Sequence, residues 1–190
     1  MKRLAALAAV VLLVASACGG SGTTHGGSGL VTAGGSVGSL KIDVSTPDDI
    51  RAFAGTPDAA VTGKSAFCCS PSYRALGYDC QKAGGNTNNV GACQTVYYVN
   101  SRTRRLAAFK TASPRFHAAD GIRPGMGQNA ADRLAHQTPQ GPWDALYLSS
   151  RSDIFILTSS CGRVTAGRCS GKVIAFMLES YHHGIGLTAT

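Results

Sequence analysis

The chain has 190 residues, of which 44% are hydrophobic and 15% are charged, and its formal net charge is +8 at pH 7. This length supports one ordinary domain with its own core and is too short for several. The basic excess favours contact with anionic surfaces in general.

The N-terminus has the features of an export signal. Met1–Arg3 is basic, and the apolar run Leu4–Ala17 follows it. A helix of this length covers about 21 Å, less than the ~30 Å hydrocarbon core of a bilayer, so residues 1–17 are predicted to be a cleaved signal peptide. The junction Ala15-Ser16-Ala17-Cys18 resembles a bacterial lipobox, which implies a diacylglyceryl group on Cys18. Ordinary secretory cleavage after Ala17 is the alternative.

Residues 18–39 are rich in Gly, Ser and Thr and carry no acidic or basic side chain except His25. Such a segment buries too little apolar surface to order itself, so it is predicted to be a flexible tether behind the lipidated cysteine. Residues 40–190 are then the globular domain. This arrangement places the domain at the outer face of the cell membrane, or in the medium if the chain is secreted. An exported protein meets phospholipid and wall polymer rather than nucleic acid.

The cysteine count also favours export. If Cys18 carries lipid, an even number of cysteines is left for disulfides in an oxidising compartment. These six are Cys68, Cys69, Cys80, Cys93, Cys161 and Cys169. Cys80–Cys93 and Cys161–Cys169 are the predicted bridges, because each pair brackets a short polar loop beside a predicted strand. The pairing of Cys68 and Cys69 stays open. No C-x-x-C pair occurs, which excludes a thioredoxin-like motif and a zinc knuckle.

Two helices are predicted. Ser45–Asp58 has Thr46 as N-cap, Pro47 at the first helical position, Asp49 completing a capping box and Gly55 as C-cap. A weaker copy of this pattern lies at Met126–Pro139, where Ala131, Leu134 and Ala135 repeat the apolar spacing.

Strand-forming tracts follow each helix. Residues 59–89 are predicted to be mostly irregular, whereas Thr95–Val99 and Leu106–Thr111 form a hairpin. The second half has strands at Trp143–Ser149, Ile154–Thr158, Val173–Leu178 and Ile185–Thr188. Arg105–Phe109 is similar to Lys172–Phe176, which indicates a duplication. The predicted fold class is therefore α+β, with two similar halves, approximately 40–116 and 117–190, whose helices pack on one face of a sheet.

The segment Gly121-Ile122-Arg123-Pro124-Gly125-Met126, followed by a helix and Thr138-Pro139, resembles a pattern of small outer-membrane-assembly lipoproteins. Those proteins share a fold with the β-lactamase-inhibitor proteins of actinomycetes, in which the unit occurs in tandem. The resemblance implies an exported, actinobacterial-type lipoprotein. It implies a binding fold, and it implies no catalytic residues.

The sequence gives little support to catalysis or metal binding. There is no H-E-x-x-H, and Glu179 is the only glutamate. The single G-x-S-x-G match, Gly34–Gly38, falls in the Gly/Ser-rich predicted tether, where the composition alone produces it. His182 and His183 are adjacent in a predicted strand end, so their side chains point to opposite sides and do not chelate one ion. The sequence therefore predicts no enzyme, no cofactor and no metal site.

The candidate contact surface is basic: Arg102, Arg104, Arg105, Lys110 and Arg115. Arg102 and Arg104 lie in the predicted hairpin turn, so they are expected to be exposed. A solvated turn that resists aggregation is one interpretation. Contact with anionic lipid or wall polymer is the other.

The predicted function is that of a membrane-tethered envelope lipoprotein that binds another protein or an anionic envelope component. The alternatives are a secreted protein that inhibits an enzyme and a hydrolase without recognisable motifs.

Overall fold

The computed structural model of the protein describes residues 27–32, 34–64, 72–81, 90–135, 143–148, 152–158 and 171–180. In chain order the strands of these ranges are β1 (Gly29–Thr32), β2 (Ser36–Val37), β3 (Leu40–Lys41), β4 (Ala59–Gly63), β5 (Tyr73–Cys80), β6 (Cys93–Asn100), β7 (Leu106–Thr111), β8 (Phe116–Ala118), β9 (Trp143–Leu148), β10 (Ser152–Thr158) and β11 (Val173–Ser180). The helices are α1 (Pro47–Ala54) and α2 (Gln128–Ala135), and Val90–Ala92 is a 3-10 turn.

Seven strands form one antiparallel sheet in the order β4-β5-β6-β7-β11-β10-β9. At its centre β7 pairs with β11, and Phe109 lies opposite Leu178. A strand from each of the two predicted halves therefore pairs with the other in this sheet. Long-range pairing brings together segments that are about seventy residues apart in the chain.

A second sheet has the order β3-β2-β1-β8, in which β1 runs parallel to β8. Val31, Val37, Leu40 and Phe116 of this sheet are buried in the same cluster as the inner face of the large sheet. Alternate residues of β5, β6 and β7 point inward because side chains alternate between the faces of a strand. The main core thus lies between the two sheets.

Aromatic side chains on successive strands contact one another in this core. The ring centroids of Tyr78 and Tyr97 are 5.4 Å apart, those of Tyr97 and Phe109 5.1 Å, and those of Phe109 and Phe116 5.0 Å. Such contacts add to the free energy of burial. Burial also raises the pKa of Tyr78 to about 12. The Tyr78 hydroxyl donates a hydrogen bond to the Gly55 carbonyl at 3.2 Å, which attaches the end of α1 to the sheet.

Helix α1 begins as the sequence predicts. The Asp49 N–H donates to Thr46 Oγ1 at 3.2 Å, and the Thr46 N–H donates to Asp49 Oδ2 at 2.7 Å, so both bonds of the capping box are present. Pro47 occupies the first turn, and Gly55 ends the helix with a φ of 83°. Ile50 and Ala54 are the buried residues of this helix.

The predicted α+β class, with helices packed on one face of a sheet, is wrong. Within the ranges given above, eleven strands form two sheets, and the helices have only eight residues each. The helices contribute Ile50, Ala54 and Ala131 to the buried cluster, whereas the strands supply most of it. The fold is mainly β because the second sheet covers a large part of the face that the helices were expected to cover.

Two predicted irregular regions contain strands. β1 and β2 lie inside the predicted tether 18–39, so the tether is shorter than predicted at its C-terminal end. β1 has only four residues and begins with Gly29, and it is stabilised by pairing with β2 and β8. β4 and β5 lie inside the predicted irregular region 59–89. The hairpin of β6 and β7 and the strands β9 to β11 are confirmed, whereas the predicted strand Ile185–Thr188 lies outside the described residues.

Candidate functional site

The turn between β6 and β7 is organised by one buried side chain. Asn100 is 3% exposed, and its Oδ1 accepts hydrogen bonds from the N–H groups of Arg102 at 2.8 Å and Thr103 at 3.1 Å. The Asn100 carbonyl also accepts from the Arg104 N–H at 2.8 Å. Arg104 takes a left-handed φ of 55° to close the turn. As a result the side chains of Arg102 and Arg104 are exposed at the tip, as predicted.

The sheet brings two further cations to this turn. Gly63 lies opposite Tyr73, which lies opposite Asn100, so Lys64 and Arg74 flank the same row of the sheet. Both side chains are exposed. We call Lys64, Arg74, Arg102 and Arg104 the basic end. None of the four forms an ion pair within the described residues, where the ion pairs are those of Arg51 and Arg115.

Sequence reasoning missed Lys64 and Arg74. They precede the turn by many residues, and both lie in or beside strands that were predicted to be irregular. The register of a sheet depends on the pairing of distant segments, so neither residue carries a local signal of its place. The aromatic and apolar tract Tyr73–Tyr78 could have indicated that Arg74 lies in a strand, although not which end of the sheet it occupies.

Arg105, the third arginine of the predicted set, is held against the loop before α1. Its Nη1 donates a hydrogen bond to the Val44 carbonyl at 2.7 Å. Hydrogen bonds from the Thr46 N–H and hydroxyl lower the pKa of Asp49, and the positive charge of Arg105 lowers it slightly further. Arg105 therefore lies beside the basic end, but it donates a hydrogen bond to the Val44 carbonyl and lies near the Asp49 carboxylate.

The other two predicted contact residues lie elsewhere. Arg115 forms an ion pair with Asp79, and its Nε donates to Ser113 Oγ at 3.2 Å. Asp79 is five residues along β5 from Arg74, which corresponds to about 16 Å. Lys110 lies opposite Val96 and Met177 in the middle of the large sheet. The five predicted basic residues therefore do not form one surface.

A groove of about 580 Å³ lies next to this region, between β3 and α1. Its lining includes Lys41, Val44, Asp49 and Phe53.

The loop before α1 is fixed to β7 because the Asp43 N–H donates to the Leu106 carbonyl at 2.8 Å. The Ser180 hydroxyl donates to Asp43 Oδ2 at 2.6 Å, whereas the buried Asp43 Oδ1 has no hydrogen-bond partner among the described residues. The loop is thus tied to the last described strand.

The Cys80–Cys93 disulfide is confirmed. The two cysteines lie opposite each other at the ends of β5 and β6. The sulfurs pack over Gly77, where a Cβ would lie 2.5 Å from Cys93 Sγ, so a side chain at this position would clash with the bridge. The remaining cysteines lie outside the described residues: Cys18, Cys68, Cys69, Cys161 and Cys169.

Neither a metal site nor a membrane span is found in the part of the chain that the structure describes. In these ranges no three His, Cys, Asp or Glu side chains are placed to bind one ion. No helix in them is long and apolar enough to cross a bilayer. Comparison with protein-family models, with curated proteins and with solved structures gave no match, so the resemblance drawn from Gly121–Met126 stays a prediction.

Proposed function

We propose that the protein is an envelope lipoprotein, tethered to the outer face of the cell membrane through Cys18, that binds an anionic envelope component through its basic end. This surface suits ligands that carry phosphate groups, whether the phosphates belong to lipid headgroups or to a wall polymer. No catalytic residue and no cofactor are assigned.

The proposal is carried by the exposure of Lys64, Arg74, Arg102 and Arg104 at one end of the sheet, where no carboxylate among the described residues pairs with them. Arginine pairs with phosphate through two parallel N–H donors, so three arginines suit this ligand. Positive charges that are close together also attract a polyanion more strongly than the same charges spread over the surface.

Two observations support export and tethering. The Cys80–Cys93 disulfide fits an oxidising compartment. The junction Ala15-Ser16-Ala17-Cys18 fits lipidation. Near an anionic membrane surface each basic residue contributes about 1 kcal/mol, so the four residues together supply a useful affinity at low salt.

The test compares two charge-matched variants of the full chain in detergent. One carries Arg74→Gln and Arg102→Gln in the basic end, and the other carries Arg123→Gln and Arg133→Gln outside it. Arg123 and Arg133 are exposed, and Arg123 is two residues before Gly125, whose N–H donates to the Val173 carbonyl at the far end of β11.

Binding is measured to immobilised inorganic polyphosphate and, separately, to phosphatidylglycerol vesicles. Loss of two cations from the basic end should weaken binding about twenty-fivefold at low salt, and the control pair should change it by much less. Because the replaced side chains are exposed, both variants should melt within a few degrees of the parent. Equal losses in the two variants would show that net charge alone governs binding and would reject the basic end as the site.

A further inference from the structure

The basic end and the place where the chain enters the fold lie at opposite ends of the large sheet. The Gly29 N–H donates to the Arg115 carbonyl at 3.2 Å, and Arg115 pairs with Asp79. Arg74 lies in the row of Val99 and Leu106, five residues from Asp79 along β5, so the two ends are about 16 Å apart. We call the neighbourhood of Gly29 and Arg115 the Gly29 end.

We propose that the basic end docks onto anionic lipid headgroups of the same membrane that holds Cys18, so that the anchored domain lies with its basic end down and its Gly29 end raised. This inference rests on the proposed function and names its ligand as membrane lipid rather than wall polymer.

The length of chain between the anchor and the fold permits this orientation. Nine residue steps separate Cys18 from Gly27 and span at most about 31 Å. With the basic end on the bilayer, the Gly29 end is raised by about 16 to 20 Å, which is within that limit. A shorter connection would hold the Gly29 end against the membrane and keep the basic end away from it.

The attraction between the four cations and anionic lipid outweighs the cost of stretching the link to the anchor. A flexible Gly/Ser-rich chain of nine residues has a root-mean-square end-to-end distance of about 16 Å, so a link of that kind held at 20 Å lowers the ratio of docked to undocked molecules about tenfold. Each cation near an anionic surface raises this ratio about fivefold, and four cations raise it several hundredfold. Because the anchor keeps the domain beside the lipid, docking is intramolecular and is favoured further by the high effective concentration.

Within the described residues, the Gly29 end offers no comparable attraction. The charge of Arg115 is neutralised by Asp79, and the nearby Asp58 is exposed with its Oδ2 accepting a hydrogen bond from the Cys80 N–H. Arg123 and Lys172 are exposed near the far end of β11, but they are two cations against the four of the basic end. An anionic surface therefore selects the basic end.

The experiment measures orientation by energy transfer in the lipidated full chain reconstituted into vesicles. A fluorescent donor is placed by a clickable amino acid at Thr103, in the basic turn, or at Ala112, just after β7 at the Gly29 end. The Ala112 N–H donates to the Gln94 carbonyl at 2.7 Å, which places this position beside the start of β6. Both labelled positions are exposed, and neither belongs to the basic end. The acceptor is carried on lipid headgroups, and the vesicles contain phosphatidylcholine with or without phosphatidylglycerol.

Phosphatidylglycerol should increase energy transfer from Thr103 relative to transfer from Ala112, and high salt should reverse the change. The Arg74→Gln/Arg102→Gln variant should lower the ratio of docked to undocked molecules about twenty-fivefold, whereas the Arg123→Gln/Arg133→Gln variant should keep the lipid response. The inference would be overturned if the ratio of transfer from Thr103 to transfer from Ala112 did not depend on lipid charge. It would also be overturned if both variants lost their response to phosphatidylglycerol equally. A chain without lipid on Cys18 would also overturn it.

The two proposals fail in different ways. If orientation ignores lipid charge but polyphosphate binding still depends on Arg74 and Arg102, the basic end binds a polyanion beyond the membrane, so only the lipid assignment is wrong. If polyphosphate binding is also insensitive to these residues, the proposed function is wrong as well.

Discussion

The guanidinium of Arg115 forms an ion pair with the carboxylate of Asp79, across 36 residues of sequence, at the end of the sheet opposite Arg102. Their side chains are 28% and 29% exposed, so the pair is partly shielded from water. This contact explains why Arg115, which is basic and close in sequence to the hairpin, does not belong to the contact surface. It also fixes the position at which Gly29 joins the fold, since the Gly29 N–H binds the Arg115 carbonyl.

Loss of either member of this pair should destabilise the domain. Arg115→Gln and Asp79→Asn should each lower the free energy of unfolding by about 1 kcal/mol, and the double variant should lose less than the sum. Asn is chosen because Asp79 has a positive φ of 51°, which Asn tolerates. Urea unfolding of the four proteins gives the coupling energy. Strictly additive losses would mean that the two residues do not stabilise each other.

Asn100 should determine the shape of the basic turn. Asn100→Ala removes the acceptor of two backbone N–H groups in a buried position, so the free energy of unfolding should fall by about 1 to 3 kcal/mol. Polyphosphate binding should weaken too, because Arg102 and Arg104 lose their fixed positions. Thr103→Ala is the control, since the Thr103 side chain is exposed at the same turn. Unchanged stability in Asn100→Ala would contradict the assigned role.

The capping box of α1 should make stability depend on pH. Thr46→Ala should cost about 1 kcal/mol in the free energy of unfolding. Hydrogen bonds from Thr46 lower the pKa of Asp49 below its ordinary value of 3.8, so its contribution is present above pH 3.8 and is lost as the pH falls through the lower pKa of the folded state. The stability difference between the parent and Asp49→Asn should therefore shrink in acid. A difference that is constant from neutral pH to pH 2 would contradict this assignment.

The Cys80–Cys93 bridge should stabilise the ends of β5 and β6. The bridge spans a sequence separation of 13, and a loop of this size predicts a loss of about 2 to 4 kcal/mol in the Cys80→Ala/Cys93→Ala variant. Calorimetry under non-reducing conditions measures the effect. Peptide mapping without reduction should recover Cys80 linked to Cys93 in the parent, and recovery of Cys80 linked to another cysteine would refute the pairing.

Cys18 should carry the lipid that tethers the domain. The mass of the intact protein from the membrane fraction should exceed that of the mature polypeptide by a diacylglyceryl group, and Cys18→Ala should abolish the increase. The Cys18→Ala protein should also leave the membrane fraction. An unmodified mature protein found only in the medium would favour the secreted alternative.

Local features of this protein could be predicted because they depend on residues that are close in sequence. The capping box joins Thr46 to Asp49 over three positions, and the tight turn at Asn100 joins β6 to β7. The Cys80–Cys93 bridge closes a short loop between two neighbouring strands. Each of these features leaves a recognisable pattern within about fifteen residues.

The sequence by itself determined the caps of α1, the β6–β7 hairpin and its exposed arginines, the confirmed disulfide and the expectation of export. Only the tertiary structure decided that Gly29–Thr32 is a strand, that the fold is mainly β, and that Lys64 and Arg74 join Arg102 while Arg115 does not. The physical reason is that a strand is stabilised by its partner across the sheet. That partner lies far away in the sequence, so neither β1 nor the basic end can be recognised from local composition.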